Sequence, residues 1–248
     1  MLVYRTVHMV GWLLLNALYR FIVRGAGHVP REGSVVLAAN HASFLDPVAL
    51  GCAVRHRPVR FLARDDLFRI PVLGTAIRRG GTLPIRRGGM SRGAMAFLVS
   101  LLRDDDCALL MFPEGTRSAD GRPGAPRGGV AAICRAAQVP VVPALVRGSY
   151  DIWPRWRFLP KLCGRIEVRF GPPVQWSEEE LNASGDPNGA LAKLIMKRIS
   201  DLEETEETPL GFWKGLVMHL RWPHSAGKSF SARGATQRVQ GTGHVQPR

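Results

Sequence analysis

Cysteine is scarce in this 248-residue chain, and the four present, Cys52, Cys107, Cys134 and Cys163, form no CxxC pair. Such wide spacing argues against a zinc site or a disulfide framework and suits a reducing compartment. A long apolar run is also lacking. Residues 2–23 are largely apolar, but Arg5, His8, Asn16 and Arg20 interrupt them, and the uncharged run from Thr6 to Tyr19 counts 14 residues. Roughly 20 are needed to span a bilayer. No small-residue cleavage site follows this run, which argues against a removed secretory signal. A length of 248 residues with 46% hydrophobic content fits a single folded core, neither a disordered chain nor a multi-span membrane protein.

Acidic residues are short at both ends. Residues 1–103 hold 15 arginines against four acids, residues 104–210 hold 13 basic against 16 acidic, and six basic residues with no acid follow Gly211. The net charge of +14 thus gathers at the termini, beside apolar stretches. A basic face suits nucleic-acid phosphates, yet no helix-turn-helix, zinc-finger or aromatic RNA-binding signature accompanies it. Arginines next to Trp, Leu and Phe fit an anionic membrane surface better, so membrane lipids are the expected partner and nucleic acid is not.

Three segments follow. Residues 1–27 read as an N-terminal membrane-associated helical segment, lying in or dipping into the interface with Arg5 and Arg20 snorkelling at its ends. One tilted span is the less favoured form, and a buried core helix is the structural alternative. Residues 208–248 form a basic tail, in which 212–222 mix three aromatics with Lys214 and Arg221 as a possible interfacial anchor. Beyond Pro223 the chain is rich in Gly, Ser and Gln and is expected to be disordered.

Between them, residues 28–207 alternate short apolar runs with helical patterns. Strands are expected at 34–39, 59–63, 82–85, 107–112, 141–146 and 165–170, and helices at 47–55, 71–78, 91–103, 128–137 and 187–202. This rhythm predicts a single α/β domain with a mixed, partly parallel sheet flanked by helices. Active sites of such sheets gather in loops at the carboxyl ends of strands.

Four segments carry chemistry. The first, Asn40-His41-Ala42-Ser43-Phe44-Leu45-Asp46-Pro47, follows the first of these strands. Histidine suits general base work near neutral pH, and a carboxylate can orient it. Five residues apart on one helix, the two side chains would be rotated by about 140°. They meet only if His41 lies in a turn and Asp46 opens the helix, with Pro47 at its first position and Asp46 as N-cap. A lone pair at this spacing is more often a cap and a turn, so its neighbours decide.

The second is Phe112-Pro113-Glu114-Gly115-Thr116-Arg117-Ser118, after an apolar strand. Arg117 is suited to gripping a phosphate with two prongs, and Gly115 lets backbone approach a ligand. The bland alternative is an Arg117–Glu114 surface ion pair. The third, from Gly81 to Arg86 and Arg87, ends a short strand in two arginines, either a phosphate contact or solvated charge. The fourth, Val139-Pro140-Val141-Val142-Pro143, frames a strand or lines an acyl channel.

Together the four segments resemble the glycerolipid acyltransferase family, in particular the 1-acylglycerol-3-phosphate acyltransferases. That family shows an N-H-x-x-x-x-D block, a glycine-to-arginine block, an F-P-E-G-T-R-S block and a V-P-[IV]-[IV]-P block in this order. The likeness covers about residues 30–175. It implies His41 as general base with Asp46 as its charge partner, and Glu114, Gly115, Thr116 and Arg117 as acceptor-phosphate residues. Arg87 stands at the arginine of the second block, and Arg86 where members commonly carry an acid.

The implied reaction moves an acyl group from acyl-CoA or acyl carrier protein to a lysophospholipid hydroxyl, giving phosphatidic acid. It needs neither metal nor organic cofactor, and is expected at the cytoplasmic face of the cell membrane. Two other classes remain in view: a serine hydrolase using Ser43 or Ser118, although neither lies in G-x-S-x-G, and a non-catalytic basic module binding membrane or nucleic acid.

Overall fold

The computed structural model describes residues 2–71, 73–79, 81–85 and 90–204. The chain begins with α1 (Leu2–Leu18) and β1 (Tyr19–Arg24), then β2 (Val35–Ala39), α2 (Asp46–Ala53), β3 (Val59–Arg64), α3 (Leu73–Arg79) and β4 (Leu83–Ile85). It continues through α4 (Arg92–Asp104), β5 (Ala108–Met111), α5 (Gly129–Ala137), β6 (Val141–Arg147), the single turn α6 (Ser149–Ile152), β7 (Gly164–Phe170), α7 (Glu178–Ala183) and α8 (Pro187–Asp201).

The strands form one seven-stranded sheet in the order β1-β7-β6-β2-β5-β3-β4. From β6 to β4 the five neighbours are parallel, whereas β7 runs antiparallel to β6 and carries β1 parallel to itself at the edge. The mixed sheet is thus as the apolar runs predict. Central β2 (VVLAA) is buried throughout, because parallel strands are covered on both faces. Val36 and Ala38 point into one core with Leu102, Leu109, Ile133 and Leu191 of the α4, β5, α5 and α8 layer. Val35, Leu37 and Ala39 point into the other with Trp12 and Leu50 of α1 and α2.

Local sequence sets the helix starts. Ser91, Ser177 and Asp186 each accept a backbone N–H three residues on, and Pro187 occupies the first turn of α8.

The N-terminal segment departs from the expectation of a helical segment over residues 1–27. The helix ends at Leu18, and 19–24 form an edge strand, Tyr19 pairing with Gly164 and Arg24 with Arg169. The run Tyr-Arg-Phe-Ile-Val-Arg favours extended backbone through its aromatic and β-branched residues. Glu167 on β7 accepts from Arg24 at 2.7 Å, which locks the edge pair. Helix α1 packs its inner face on α2, with Trp12 fully buried, and leaves Val7, Val10, Leu14 and Leu18 exposed on its outer face. Among the described residues no helix is long and apolar enough to cross a membrane. The tail expected from residue 208 onward lies outside the described residues.

Candidate active site

All five parallel strands deliver their carboxyl ends to one edge of the sheet. There the loop after β2 carries residues 40–45, the loop after β5 carries 112–118, β3 ends in Arg64, and β6 ends in Arg147 followed by Gly148 and Ser149. Asn40 ties two of these ends. Its side chain donates to the Val146 carbonyl at 3.0 Å and accepts the Val146 N–H at 2.8 Å.

His41 lies in the turn and Asp46 opens α2, and the two meet with Nδ1 of His41 2.9 Å from Oδ2 of Asp46. The expected capping role of Asp46 is corrected, however. The N-cap is Leu45, and Asp46 makes no cap bond to its own helix. Its fully buried carboxylate reaches back instead, Oδ2 accepting the N–H groups of Ala42 and Ser43 at 2.7 Å each. Oδ1 accepts the hydroxyl of Ser149 at 2.5 Å. Four donors on one carboxylate fix its rotamer. A carboxylate facing Nδ1 holds that nitrogen as N–H, so the basic lone pair falls on Nε2. The imidazole is further clamped flat on Phe112, with ring centroids 3.9 Å apart and planes 13° apart.

The loop after β5 is sewn to the histidine turn. Ser118 donates its N–H to the His41 carbonyl at 2.7 Å, and the His41 N–H donates to Oε1 of Glu114 at 2.9 Å. Oε2 of buried Glu114 accepts from the Gly124 N–H at 2.9 Å. Glu114 therefore ties the His41 turn to the loop at Gly124. Gly115 adopts φ 69°, and a Cβ there would come within 3.1 Å of Arg127 Cδ. Thr116 is exposed on the same turn.

Arg117 is not paired with Glu114. Its guanidinium lies 3.5 Å above the Phe44 ring, and its buried Nη1 has no hydrogen-bond partner. Burial pushes its pKa down, Arg155 and Arg64 push the same way, and Asp46 opposes them. Arg64 itself is ion-paired with Asp66, so Arg117 is the guanidinium whose buried donor an anion would relieve. Arg86 and Arg87 lie outside the described residues. They follow Ile85, whose register partner across the sheet is Arg64.

Sequence reasoning missed Ser149, Phe44, Arg64 and Arg155. The signal for Ser149 was its place after Gly148 at the end of a parallel strand. Gly148 has φ 79°, and a Cβ on it would lie 2.1 Å from the Arg165 carbonyl oxygen, so only glycine makes this turn. Of the two prolines of the fourth segment, Pro140 precedes β6 and Pro143 lies within it. Val141 and Val142 are fully buried, and Pro143, which has no N–H, sits where β6 begins to meet β7.

The two serines of the hydrolase reading are engaged elsewhere. Ser43, fully buried, donates to the Trp153 carbonyl at 2.8 Å, and Ser118 donates to Asp120 at 3.0 Å.

A histidine held by a buried carboxylate, with Arg117 nearby on the carboxyl edge of an α/β sheet, can exchange a proton with a bound substrate. The chain belongs to the Acyltransferase family, whose sequence profile matches residues 20–147. It is 28% identical over 158 residues to a 1-acyl-sn-glycerol-3-phosphate acyltransferase of Streptococcus pneumoniae, covering 62% of this chain and 56% of that protein. It is 32% identical over 166 residues to the chloroplastic 1-acyl-sn-glycerol-3-phosphate acyltransferase BAT2 of Brassica napus, covering 66% of this chain and 47% of that one. The match thus spans about half the length of these two relatives. The fold is shared with the 1-acyl-sn-glycerophosphate (LPA) acyltransferase PlsC of Thermotoga maritima, at 23% identity and TM-score 0.65 over 83% of this chain and 81% of that one.

Proposed function

We propose that this chain transfers a fatty acyl group from acyl-CoA or acyl carrier protein to the free hydroxyl of 1-acylglycerol-3-phosphate, giving phosphatidic acid. The observation that carries this reading is the juxtaposition of the Asp46-held His41 with Arg117, whose buried Nη1 lacks a partner, on one edge of the sheet. Nε2 of His41 takes the proton of the acceptor hydroxyl as its oxygen attacks the thioester carbonyl. The C–S bond then breaks, and the proton passes to the departing thiolate, so ester and free thiol are the products. General base help of this kind is worth about 10²–10⁴-fold. Arg117, with Arg64 and Arg155 beside it, holds the acceptor phosphate, and Arg86 and Arg87 are proposed to add to it.

One neighbouring feature fits a lipid substrate. The outer face of α1 suits a bilayer surface. On this reading the chain works on the cytoplasmic face of the membrane, with lysophospholipid and thioester as its partners, and requires no metal or organic cofactor. The relatives named for 1-acylglycerol phosphate favour that acceptor over another lysolipid or glycerol-3-phosphate.

Purified protein given mixed lysolipids, glycerol-3-phosphate and acyl-CoA should yield phosphatidic acid by mass spectrometry. Acylation of only a different acceptor would replace the substrate assignment, and free fatty acid as the sole product would overturn the transferase reading.

A further inference from the structure

The loop between α6 and β7 carries a feature that transfer chemistry does not use. Trp156, Phe158, Leu159 and Leu162 are each between 65% and 90% exposed, within seven residues of chain. Arg155, Arg157 and Lys161 alternate with them, and no acid occurs from Trp153 to Gly164. Four large apolar side chains standing in water are not surface noise, because monomeric proteins rarely leave such patches uncovered.

The loop is also built rather than slack. Trp153 Nε1 donates to the Arg157 carbonyl at 3.1 Å, and the Lys161 N–H donates to the Ile152 carbonyl at 3.0 Å. Its root is tied to the site and to α1. Ser43 donates to the Trp153 carbonyl, Phe44 packs on the Trp153 ring with centroids 5.1 Å apart, and the Tyr19 hydroxyl donates to the Lys161 carbonyl at 2.9 Å. The last bond joins the loop to the first residue of β1, directly after α1, whose outer face exposes Val10, Leu14 and Leu18.

We propose that loop 153–163 is a membrane-docking wedge: Trp156, Phe158, Leu159 and Leu162 enter the acyl boundary of an anionic bilayer while Arg157 and Lys161 meet lipid phosphates. Protruding apolar side chains ringed by cations match an anionic interface, into which aromatic side chains partition and at which each basic residue is attracted. Because the root of the loop touches the His41 turn, docking sets the mouth of the site against the lipid surface. The benefit to catalysis rests on the proposed function, but docking itself does not.

The test uses the full chain and vesicles of phosphatidylcholine with or without phosphatidylglycerol. The double variant Phe158→Glu/Leu162→Glu should keep the wild-type melting temperature, since both side chains are exposed. Its partitioning onto anionic vesicles should fall about tenfold or more, and its turnover of a short-chain, monomerically soluble lysophosphatidate should stay unchanged. In wild type, lipids brominated along the acyl chain should quench a component of tryptophan fluorescence that disappears in Trp156→Phe.

Unchanged vesicle partitioning in the double variant would overturn the wedge, as would a quenched component that survives Trp156→Phe. Loss of transfer only from a carrier-protein donor, with vesicle binding intact, would also overturn it and make the loop a protein-docking surface. Failure of the proposed function would look different, with normal loop-dependent partitioning and no acyl transfer to any acceptor.

Discussion

The hydroxyl of Ser149 donates to Oδ1 of Asp46 at 2.5 Å, across 103 residues of sequence. Both groups are buried, and the other oxygen of the same carboxylate holds His41. Ser149 therefore acts on the imidazole through Asp46 and is a positioning residue. A hydrogen bond to a charged group contributes about 1.5–3 kcal/mol. Ser149→Ala should accordingly lower kcat by about ten- to a hundredfold and leave both KM values near those of wild type. A shift confined to KM in steady-state rates would assign Ser149 to substrate binding instead.

His41→Ala should reduce kcat by about 10²–10⁴-fold or more while the chain still folds. Asp46 needs two variants, because its carboxylate serves the turn as well as the base. An asparagine oxygen can still accept from Ala42, Ser43 and His41, with the amide turned toward the Ser149 hydroxyl. Asp46→Asn should thus stay folded and lose most activity, because the charge that orients and stabilises the imidazolium is gone. Asp46→Ala strands two buried N–H groups, and stability should fall by about 1–3 kcal/mol for each. Melts and initial rates on the pair check this. A fully active Asp46→Asn enzyme would leave the carboxylate as a turn clamp alone.

Arg117 and Glu114, three residues apart, should fail in opposite ways. Arg117→Lys keeps the charge but loses the planar fork and its stacking on Phe44, so the acceptor KM should rise and the melting temperature should hold. Glu114→Gln puts an amide where the carboxylate accepts from the His41 or Gly124 N–H, so stability should fall by about 1–3 kcal/mol and kcat with it. If Glu114→Gln raised the acceptor KM without a change in melting temperature, Glu114 would be a ligand contact after all.

His8 supplies a pH dependence that belongs to the fold. Its Nε2 lies 2.6 Å from the Gly51 carbonyl, between α1 and α2. Burial pushes its pKa down to about 4 from 6.5, Arg55 adds to the fall, and the Gly51 and Val54 carbonyls oppose it. The unfolded chain therefore binds a proton near pH 6.5 that the folded chain refuses until about pH 4. Stability from this group is complete above the unfolded value and declines as pH falls through that window, by about 3 kcal/mol in all. His8→Gln keeps a donor for Gly51 and cannot titrate. The difference in denaturant stability between wild type and variant should be flat above pH 7 and move against wild type between pH 6.5 and 4. A difference that stays constant down to pH 4 would mean that His8 is protonated in the fold.

Much of this was legible in the chain itself. The six apolar runs from residue 34 onward became strands because short β-branched stretches between turn residues have few other ways to bury themselves. His41 and Asp46 were legible as a pair because only one local geometry, a turn running into a helix start, brings residues five apart together. Arg117 reads by its chemistry as a grip for an anion, and its stacking on Phe44 was not legible.

Three things were decided only by packing. Residues 19–24 continue an apolar run that reads as helix, and became a strand because β7 offered them an edge and Glu167 a partner for Arg24. Asp46 reads as a helix cap from Pro47 alone, yet its carboxylate turned back to Ala42, Ser43 and His41 because Ser149 anchors it from the far end of β6. Glu114 and Arg117 read as a possible ion pair, and were separated because the amides of His41 and Gly124 claimed the carboxylate while the Phe44 ring took the guanidinium. Sequence spacing determined each contact that a few residues of backbone can close. Where the partners lie 70 to 150 residues apart, only the order of strands in the sheet could decide which groups meet.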